Sequence, residues 1–325
     1  MNILITGGAG YIGSHCCKNL ARHGFVPVVY DNLCQGHQSF AKWGPFEYGD
    51  ILDRARLSEV MRQYEPVAVM HFAARASVGE SVLDPAKYFR NNTVGSLTLF
   101  EAMRDHGVRN VILSSTAATY GLPETLPIVE SAPKNPISPY GSSKLMVEQM
   151  AHAFERAHGM RVGILRYFNA AGADPEGEVG ESHDPELHLI PLILAAAKGM
   201  IPSITVFGND YDTPDGTCVR DYIHVNDLAD AHRLVLSSLI ERKQSCTYNL
   251  GNGLGFSVLE VIEAARKVTG LPVPVKMVDR RPGDPPVLIA DHTKITTELG
   301  WDPHYSGLTK ILENAWLWMN RTGQK

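Results

Sequence analysis

The stretch "ILITGGAGYIG", residues 3–13, restricts the choice of architecture more than any other part of the chain. A short apolar run enters a glycine-rich turn, and a helical pattern leaves it. Gly7, Gly10 and Gly13 recur every three residues, and Gly8, Gly10 and Gly13 also satisfy the G-x-G-x-x-G spacing. Such glycines permit a tight turn, close approach of backbone to a pyrophosphate, and close packing of helix on strand. The helix N-terminus then offers free N–H groups and the positive end of its dipole to phosphates. A second apolar run ends in Asp31, eighteen residues beyond Gly13. A carboxylate there accepts hydrogen bonds from the adenosine ribose hydroxyls and repels a 2′-phosphate, so the expected cofactor is NAD rather than NADP.

Beyond this fingerprint, short β-rich runs alternate with longer helical patterns. Strands are expected over 2–6, 26–31, 46–49, 67–72, 110–115 and 162–168, and helices near 10–22, 53–63, 84–106 and 139–158. The strand runs are almost unbroken apolar stretches ("VAVMHF", "NVILSS", "VGILRYF"), which suits strands covered on both faces. With right-handed crossovers this order gives an α/β fold: a Rossmann-type doubly wound parallel sheet. From about Gly172 the pattern gives way to loops rich in Gly, Asp and Pro, which predicts a smaller C-terminal substrate-binding lobe. Residues 1–170 are expected to form the NAD-binding domain, with a return to it near 217–249, and 171–325 mainly the substrate lobe.

Charge and composition exclude several partners. Thirty Lys and Arg stand against 35 Asp and Glu, with no basic run to follow a phosphate backbone, so nucleic acid is not an expected partner. No stretch approaches the ~18 apolar residues of a membrane span, and the N-terminus carries no charged leader, which predicts a cytoplasmic protein with no membrane partner. The five cysteines have no C-x-x-C spacing and are expected as reduced thiols. The histidines include His15, His71, His183 and His188 but show no HExxH or comparable ligand cluster, so no metal is expected.

Two further stretches carry chemistry. In "SPYGSSK", residues 138–144, Ser138 can cap a helix whose first turn holds Pro139 and Tyr140, with Lys144 one turn later on the same face. A free phenol has a pKa of about 10, so work as a base near neutrality requires that value to fall by roughly three. A fixed ammonium, the helix end and a positively charged nicotinamide ring can lower it together. "LSSTAATYG" ends the strand over 110–115 with Ser114, Ser115 and Thr116 at the carboxyl edge of the sheet, where doubly wound folds bind ligands. A hydroxyl there can hydrogen-bond a substrate hydroxyl and orient its proton. The helices over 84–106 and 139–158 carry more apolar residues than one buried stripe requires, which predicts a homodimer formed by pairing them.

Taken together, Gly7-x-x-Gly10-x-x-Gly13, "YDNL" at 30–33, "GD" at 49–50, "HFAA" at 71–74, "VGESV" at 78–82, "NN" at 91–92, Tyr140-x-x-x-Lys144, "LRYFNAAGA" at 165–173 and "DGTCVRDYIHVNDLADAH" at 215–232 resemble the extended short-chain dehydrogenase/reductase family. Within it the chain is most similar to the nucleotide-sugar 4-epimerases. The resemblance implies tightly held NAD and inversion of the C4 hydroxyl of a UDP-sugar through a 4-keto intermediate, interconverting UDP-glucose and UDP-galactose. It implies Tyr140 as the proton acceptor, with Lys144 beside it and Thr116 assisting. By the same resemblance, Gly7, Gly10, Tyr11, Ile12, Gly13, Asp31, Asn32, Asp50, Ile51, Phe72, Ala73, Ala74, Asn91, Lys144 and Phe168 contact NAD. Asn169, Leu189, Phe207, Arg220, Tyr222, Arg281, Asp284 and Leu288, with Thr116 and Tyr140, contact the UDP-sugar. Arginines suit a diphosphate because their planar fork binds oxygens in pairs.

Three positions depart from the pattern of that family: Thr116 where serine is usual, Ala76 where many members place lysine beside the cofactor, and Leu288 at a gate held by tyrosine or by smaller residues. Sister dehydratases follow the threonine with an Asp-Glu pair; Ala117 and Ala118 cannot move a proton, which excludes that reaction. A 4-epimerase of UDP-xylose and UDP-arabinose stays open, since Leu288 does not reject a pentose. A non-catalytic NAD-sensing regulator is the remaining alternative, though such proteins tend to lose the Tyr and Lys present here.

Overall fold

The computed structural model describes residues 1–281 and 284–322. The N-terminal half alternates strand and helix: β1 (Asn2–Thr6), α1 (Tyr11–Arg22), β2 (Val26–Asp31), β3 (Phe46–Tyr48), α2 (Arg54–Tyr64), β4 (Ala68–His71), α3 (Val78–Leu83), α4 (Pro85–Tyr88), α5 (Gly95–Asp105), β5 (Asn110–Thr116), α6 (Pro139–His158) and β6 (Arg161–Tyr167). There follow β7 (Asn169–Ala171), α7 (Leu189–Ala197), β8 (Ile204–Phe207), β9 (Val219–Arg220), β10 (Tyr222–His224), α8 (Val225–Arg242) and β11 (Cys246–Leu250). The chain ends with β12 (Phe256–Ser257), α9 (Val258–Thr269), β13 (Val275–Val278), β14 (Val287–Leu288), α10 (Thr293–Leu299) and α11 (Leu308–Thr322).

Seven strands form one sheet in the order β11-β6-β5-β4-β1-β2-β3, and every pairing in it is parallel. This is the doubly wound α/β sheet, with one strand added beyond β6. Because side chains alternate along a strand, Ile3 and Ile5 of β1 face one layer and Leu4 the other. The first layer is α1 packed on α8, burying Cys16, Leu20, Leu228 and Val235. The second is formed by α2, α5 and α6, burying Leu57, Met61, Leu99, Phe100 and Val147. Both faces are covered, which is why the strands read as continuous apolar runs.

The register brings the carboxyl ends of the strands to one edge: Thr6 lies beside Tyr30 and His71, and Thr116 beside Tyr167. The strand order reverses direction at β1, between β2 and β4, the place where such sheets open a crevice for ligands. After β6 the chain leaves the sheet at this edge. Strand β7 pairs with β10, outside the sheet, and the chain returns through α8 to place β11 beside β6. The remaining C-terminal segments bury their own core, where Ile190 and Ile193 of α7 meet Val261 and Ile262 of α9 and Ile311 and Leu312 of α11. Helix α9 starts with a reciprocal capping box between Ser257 and Glu260.

One expected helix differs. The run over 84–106 is not a single α-helix: α4 passes through a π-helical turn at Phe89–Val94 before α5. The cause lies in Asn92, whose buried side chain hydrogen-bonds both the Arg75 backbone and Ser143 Oγ; the wider turn carries it towards α6. The apolar surplus on these helices is also divided. Tyr88, Leu99, Phe100, Met103 and Val147 are buried within the chain, whereas Val94, Leu97 and Met146 are exposed. Among the described residues, no helix is long and apolar enough to cross a membrane.

Candidate active site

At the amino end of α1, the glycines do what their spacing predicts. Gly7 has φ +74°, and a Cβ added there would lie 2.6 Å from Ala73 N; one on Gly13 would lie 2.3 Å from Gly7 O. The turn and the first helical turn are thus packed back to back at the switch point. Gly10 is different: a Cβ on it meets Gly7 O at 3.2 Å, and it caps α1 without a side-chain hydrogen bond. The helix end is therefore left to an outside anion. Asp31, buried at the end of β2, accepts from Ala9 N at 3.0 Å and from Leu33 N at 2.8 Å. These two bonds fix its carboxylate and leave further lone pairs for a pair of ribose hydroxyls. Burial nonetheless raises its pKa, with those two N–H groups opposing. Asn32 Nδ2 donates to Asp50 Oδ2 at 2.7 Å, and Ile51 packs on Gly95 so tightly that a Cβ there would lie 2.5 Å from it. The glycine cradle, the open helix end and the oriented carboxylate fit NAD.

The side chains at this end point in different directions. Tyr11 is buried and its hydroxyl donates to Gly172 O at 2.6 Å, so its backbone, not its phenol, is what can face a phosphate. Phe72 stacks at 4.9 Å on His232 of α8, and Ala73 N donates to Thr6 O. Asn91 Nδ2 donates to Asn92 Oδ1. Phe168 N bonds to Leu250 O at 3.3 Å, tying the exit of β6 to β11. Ala76 is exposed, and the Glu80 carboxylate is held below its ordinary pKa by Lys87 and Tyr88, with Arg75 adding its charge.

The residues expected to carry proton transfer gather around α6. Ser138 Oγ accepts from Gly141 N at 3.1 Å with Pro139 in the first turn, which sets Tyr140 at the start of the helix. Burial raises the pKa of the Tyr140 phenol and the nearby Thr116 side chain opposes that rise, so the end of β5 and the start of α6 meet. Thr116 Oγ1 accepts from Ala118 N at 3.1 Å, which fixes its hydroxyl. The Tyr88 ring stands edge-on to Tyr140 with centroids 6.4 Å apart. Lys144 is buried, and burial lowers its pKa to about 8, with Glu148 opposing. His71 is driven down to about 3 by burial and by the Lys144 ammonium, and so is neutral.

Across the sheet edge stand the residues expected to contact the UDP-sugar. Asn169 Nδ2 donates to Asp221 O at 2.9 Å and Tyr222 lies opposite it in the β7–β10 pair, where burial raises its pKa. Arg220 pairs with Asp284, and Leu288 of β14 is its direct neighbour across the β9 pairing. The Arg281 guanidinium lies over the Phe207 ring at 3.7 Å. Leu189 opens α7. The structure thus brings Arg220, Asp284 and Leu288 together, Asn169 beside Tyr222, and Arg281 over Phe207.

Sequence reasoning missed the supports of these groups. Glu148 continues the Tyr140–Lys144 spacing by one more turn; it is buried, accepts from Ser115 Oγ, and pairs with Arg166 at 2.7 Å. Its four-residue spacing was the available signal. Asn92 braces Ser143, whose hydroxyl donates to Tyr140 O at 2.7 Å; its signal was the "NN" pair itself. Spacing along the chain did not show that Glu181, His183, Glu186 and His188 gather one donor atom each within 4.8 Å of one another. They do so in an irregular loop, where spacing along the chain does not report which side chains converge.

Residues 3–251 match the family described as the NAD dependent epimerase/dehydratase family. A UDP-glucose 4-epimerase of Rhizobium meliloti (strain 1021) is 51% identical over 323 residues, covering 99% of this chain and 98% of that protein. The crystal structure of UDP-glucose 4-epimerase from Brucella ovis in complex with NAD superposes with a TM-score of 0.95 at 54% identity, over 97% of each chain. That of UDP-glucose-4-epimerase from Stenotrophomonas maltophila, with bound NAD and formylated UDP-arabinopyranose, gives 0.96 at 42% identity, over 100% of this chain and 99% of that one.

Proposed function

The chain belongs to the NAD dependent epimerase/dehydratase family, and on that footing we propose that it inverts the C4 hydroxyl of a UDP-sugar, interconverting UDP-glucose and UDP-galactose. The observation that carries this reading is the placement of Tyr140 beside Thr116, with Lys144 one turn along α6, at the carboxyl edge of a sheet built for NAD. Gly10, Asp31 and the first turn of α1 hold the cofactor, with Asn32, Asp50, Phe72, Ala73 and Phe168 around them. When bound, NAD supplies a reversible two-electron acceptor beside the sugar. Tyr140, as phenolate, accepts the proton of the C4 hydroxyl while Thr116 orients that hydroxyl. Lys144 holds the phenolate by its charge. The 4-keto sugar turns, and Tyr140 returns the proton to the opposite epimer, so no proton is lost over the cycle.

Turning requires that the grip be on the nucleotide. Arg220 and Arg281 suit the diphosphate, Asp284 the ribose hydroxyls, and Asn169, Leu189, Phe207 and Tyr222 line the remainder. Arg220 can move from Asp284 to a phosphate without leaving a buried charge unpaired, because Asp284 then takes the ribose. On this division residues 1–170, with α8 and β11, serve NAD, and most of 171–325 serves the UDP-sugar. The exposed Val94, Leu97 and Met146 support a homodimer through α5 and α6. The five free thiols suit a reducing compartment, and we place the protein in the cytoplasm.

A second reading, UDP-xylose/UDP-arabinose 4-epimerisation, is favoured by one observation: the Stenotrophomonas maltophila relative holds a UDP-pentose derivative. The test of both is to incubate the purified protein, without added cofactor, with UDP-glucose, UDP-galactose, UDP-xylose and UDP-N-acetylglucosamine, following C4 inversion by NMR. Equilibration of UDP-glucose with UDP-galactose is expected. No conversion of any sugar by protein loaded with NAD overturns the reading in favour of a dinucleotide-binding regulator.

A further inference from the structure

From the geometry of the loop that leads into α7, we propose that Glu181, His183, Glu186 and His188 form a binding site for a divalent transition-metal cation, with zinc as the best-matched ion. The four residues supply two imidazoles and two carboxylates, the donor chemistry that suits zinc and its first-row neighbours rather than magnesium or calcium. One ligand atom from each lies within 4.8 Å of the other three. His183 Nδ1 is 3.3 Å from a Glu181 carboxylate oxygen and 3.6 Å from one of Glu186. His188 Nδ1 is 2.8 Å from a carboxylate oxygen of each. Two ligands about 2.0 Å from a tetrahedral zinc ion stand about 3.3 Å apart, so these separations need only small adjustment. The two imidazole rings lie tilted, with centroids 4.9 Å apart, and both turn Nδ1 to the same carboxylates.

The loop also holds its ligands in place. Glu181 has only 7% of its side chain exposed, and its carbonyl accepts from Trp318 Nε1 at 2.8 Å. Glu186 Oε1 accepts from the backbone N–H groups of Leu187 and His188, each at 2.8 Å. Such outer bonds orient metal-binding carboxylates. His183 Nδ1 is shut off from solvent, faces both carboxylates and makes no hydrogen bond. Ion pairs alone hold that nitrogen no closer than 3.3 Å to a carboxylate oxygen, whereas a cation at the centre uses all four donors at once. The nearby Asp174, Glu176 and Glu178 make the contrast. There the Lys18 ammonium already occupies the centre, at 2.7 Å from Asp174 and 2.9 Å from Glu176, and no second cation is required.

The site joins parts of the molecule that the reaction uses. The Tyr11 ring of α1 stands edge-on to His183 with centroids 6.2 Å apart, and His37 hydrogen-bonds Ser182 O at 2.8 Å. Leu189, the first residue of α7, follows His188 directly. A bound ion ties the start of α7 to the nucleotide end of α1 and acts on the stability of this loop, not on proton transfer.

The test uses the full-length protein, stripped with a chelator and titrated calorimetrically with Zn²⁺, with Mg²⁺ as a control. One Zn²⁺ per chain, micromolar or tighter, is expected, with a thermal midpoint higher by several degrees and no response to Mg²⁺. Co²⁺ in the same site should show the visible absorption of a low-coordinate nitrogen/oxygen set. The H183A/H188A double variant should bind Zn²⁺ at least about 100-fold more weakly, and the conservative E181Q variant should weaken binding by about 10-fold or more while its circular dichroism stays that of the parent. Absence of stoichiometric Zn²⁺ binding by the stripped parent overturns the proposal. So does unchanged Zn²⁺ affinity in both variants, which would locate the ion elsewhere.

Discussion

Burial raises the Tyr140 phenol above its ordinary value, and the nearby Thr116 side chain opposes that rise. The protein surroundings alone thus favour the neutral phenol, and the base must be made by charge: the Lys144 ammonium, and the cofactor ring when bound. Tyr140→Phe should lower turnover by about 10²–10⁴-fold while UDP affinity stays within a few-fold, measured by single-turnover NMR and by calorimetry. Thr116→Ser should retain most of the activity and Thr116→Val should lose it, because orienting the substrate hydroxyl needs the side-chain oxygen and not the methyl. The sign of the Lys144 effect follows from its charge. Removing a cation beside a phenolate disfavours the ionised form, so Lys144→Met should move phenolate formation to higher pH. Ultraviolet difference titration against the matching Tyr140→Phe protein reads this. Because Lys144 itself is lowered to about 8, the parent should lose this support as pH rises through that value.

At the scale of elements, what fixes the cofactor end is contact between backbones. A methyl on Gly13 would lie 2.3 Å from Gly7 O and 2.8 Å from Gly8 Cα, both rigid. Gly13→Ala should therefore cost about 1–3 kcal/mol by chemical denaturation and release NAD on purification. Gly79, inside α3 with nothing within 4 Å of an added Cβ, is the control: Gly79→Ala should stabilise by about 0.4–1 kcal/mol. These elements were legible because each rests on local rules. Asp31 sits at its strand end, Ser138 caps α6 and Pro139 starts it, as their spacing requires. The π-turn at Phe89–Val94 was not legible, since it exists to carry Asn92 to residues far away in sequence. Nor was the role of Glu148, whose partners Arg166 and Ser115 come from two different strands. The convergence of Glu181 with His188 depends on a loop path that no periodicity describes.

For the whole molecule, α6 has two tasks on opposite faces. Tyr140, Lys144 and Glu148 turn inward, while Met146 is 41% exposed on the outside, beside α5 with Leu97 at 38% and Val94 at 49%. Helix α3, which packs on α6, adds exposed Val78, Val82 and Leu83. An apolar surface spread over three adjoining helices is what a two-fold interface needs, since each copy offers the same patch to the other. Pairing these faces would also clamp the helix that carries the base, without placing a partner residue in the site. Leu97→Glu combined with Met146→Glu leaves the buried core untouched but would set like charges against each other in such an interface. Sedimentation equilibrium should give twice the chain mass for the parent and a single chain for the double variant at micromolar concentration. If the parent sediments as a monomer, or the variant keeps the parent's mass, the interface lies elsewhere and the apolar surface of α5 and α6 needs a different occupant.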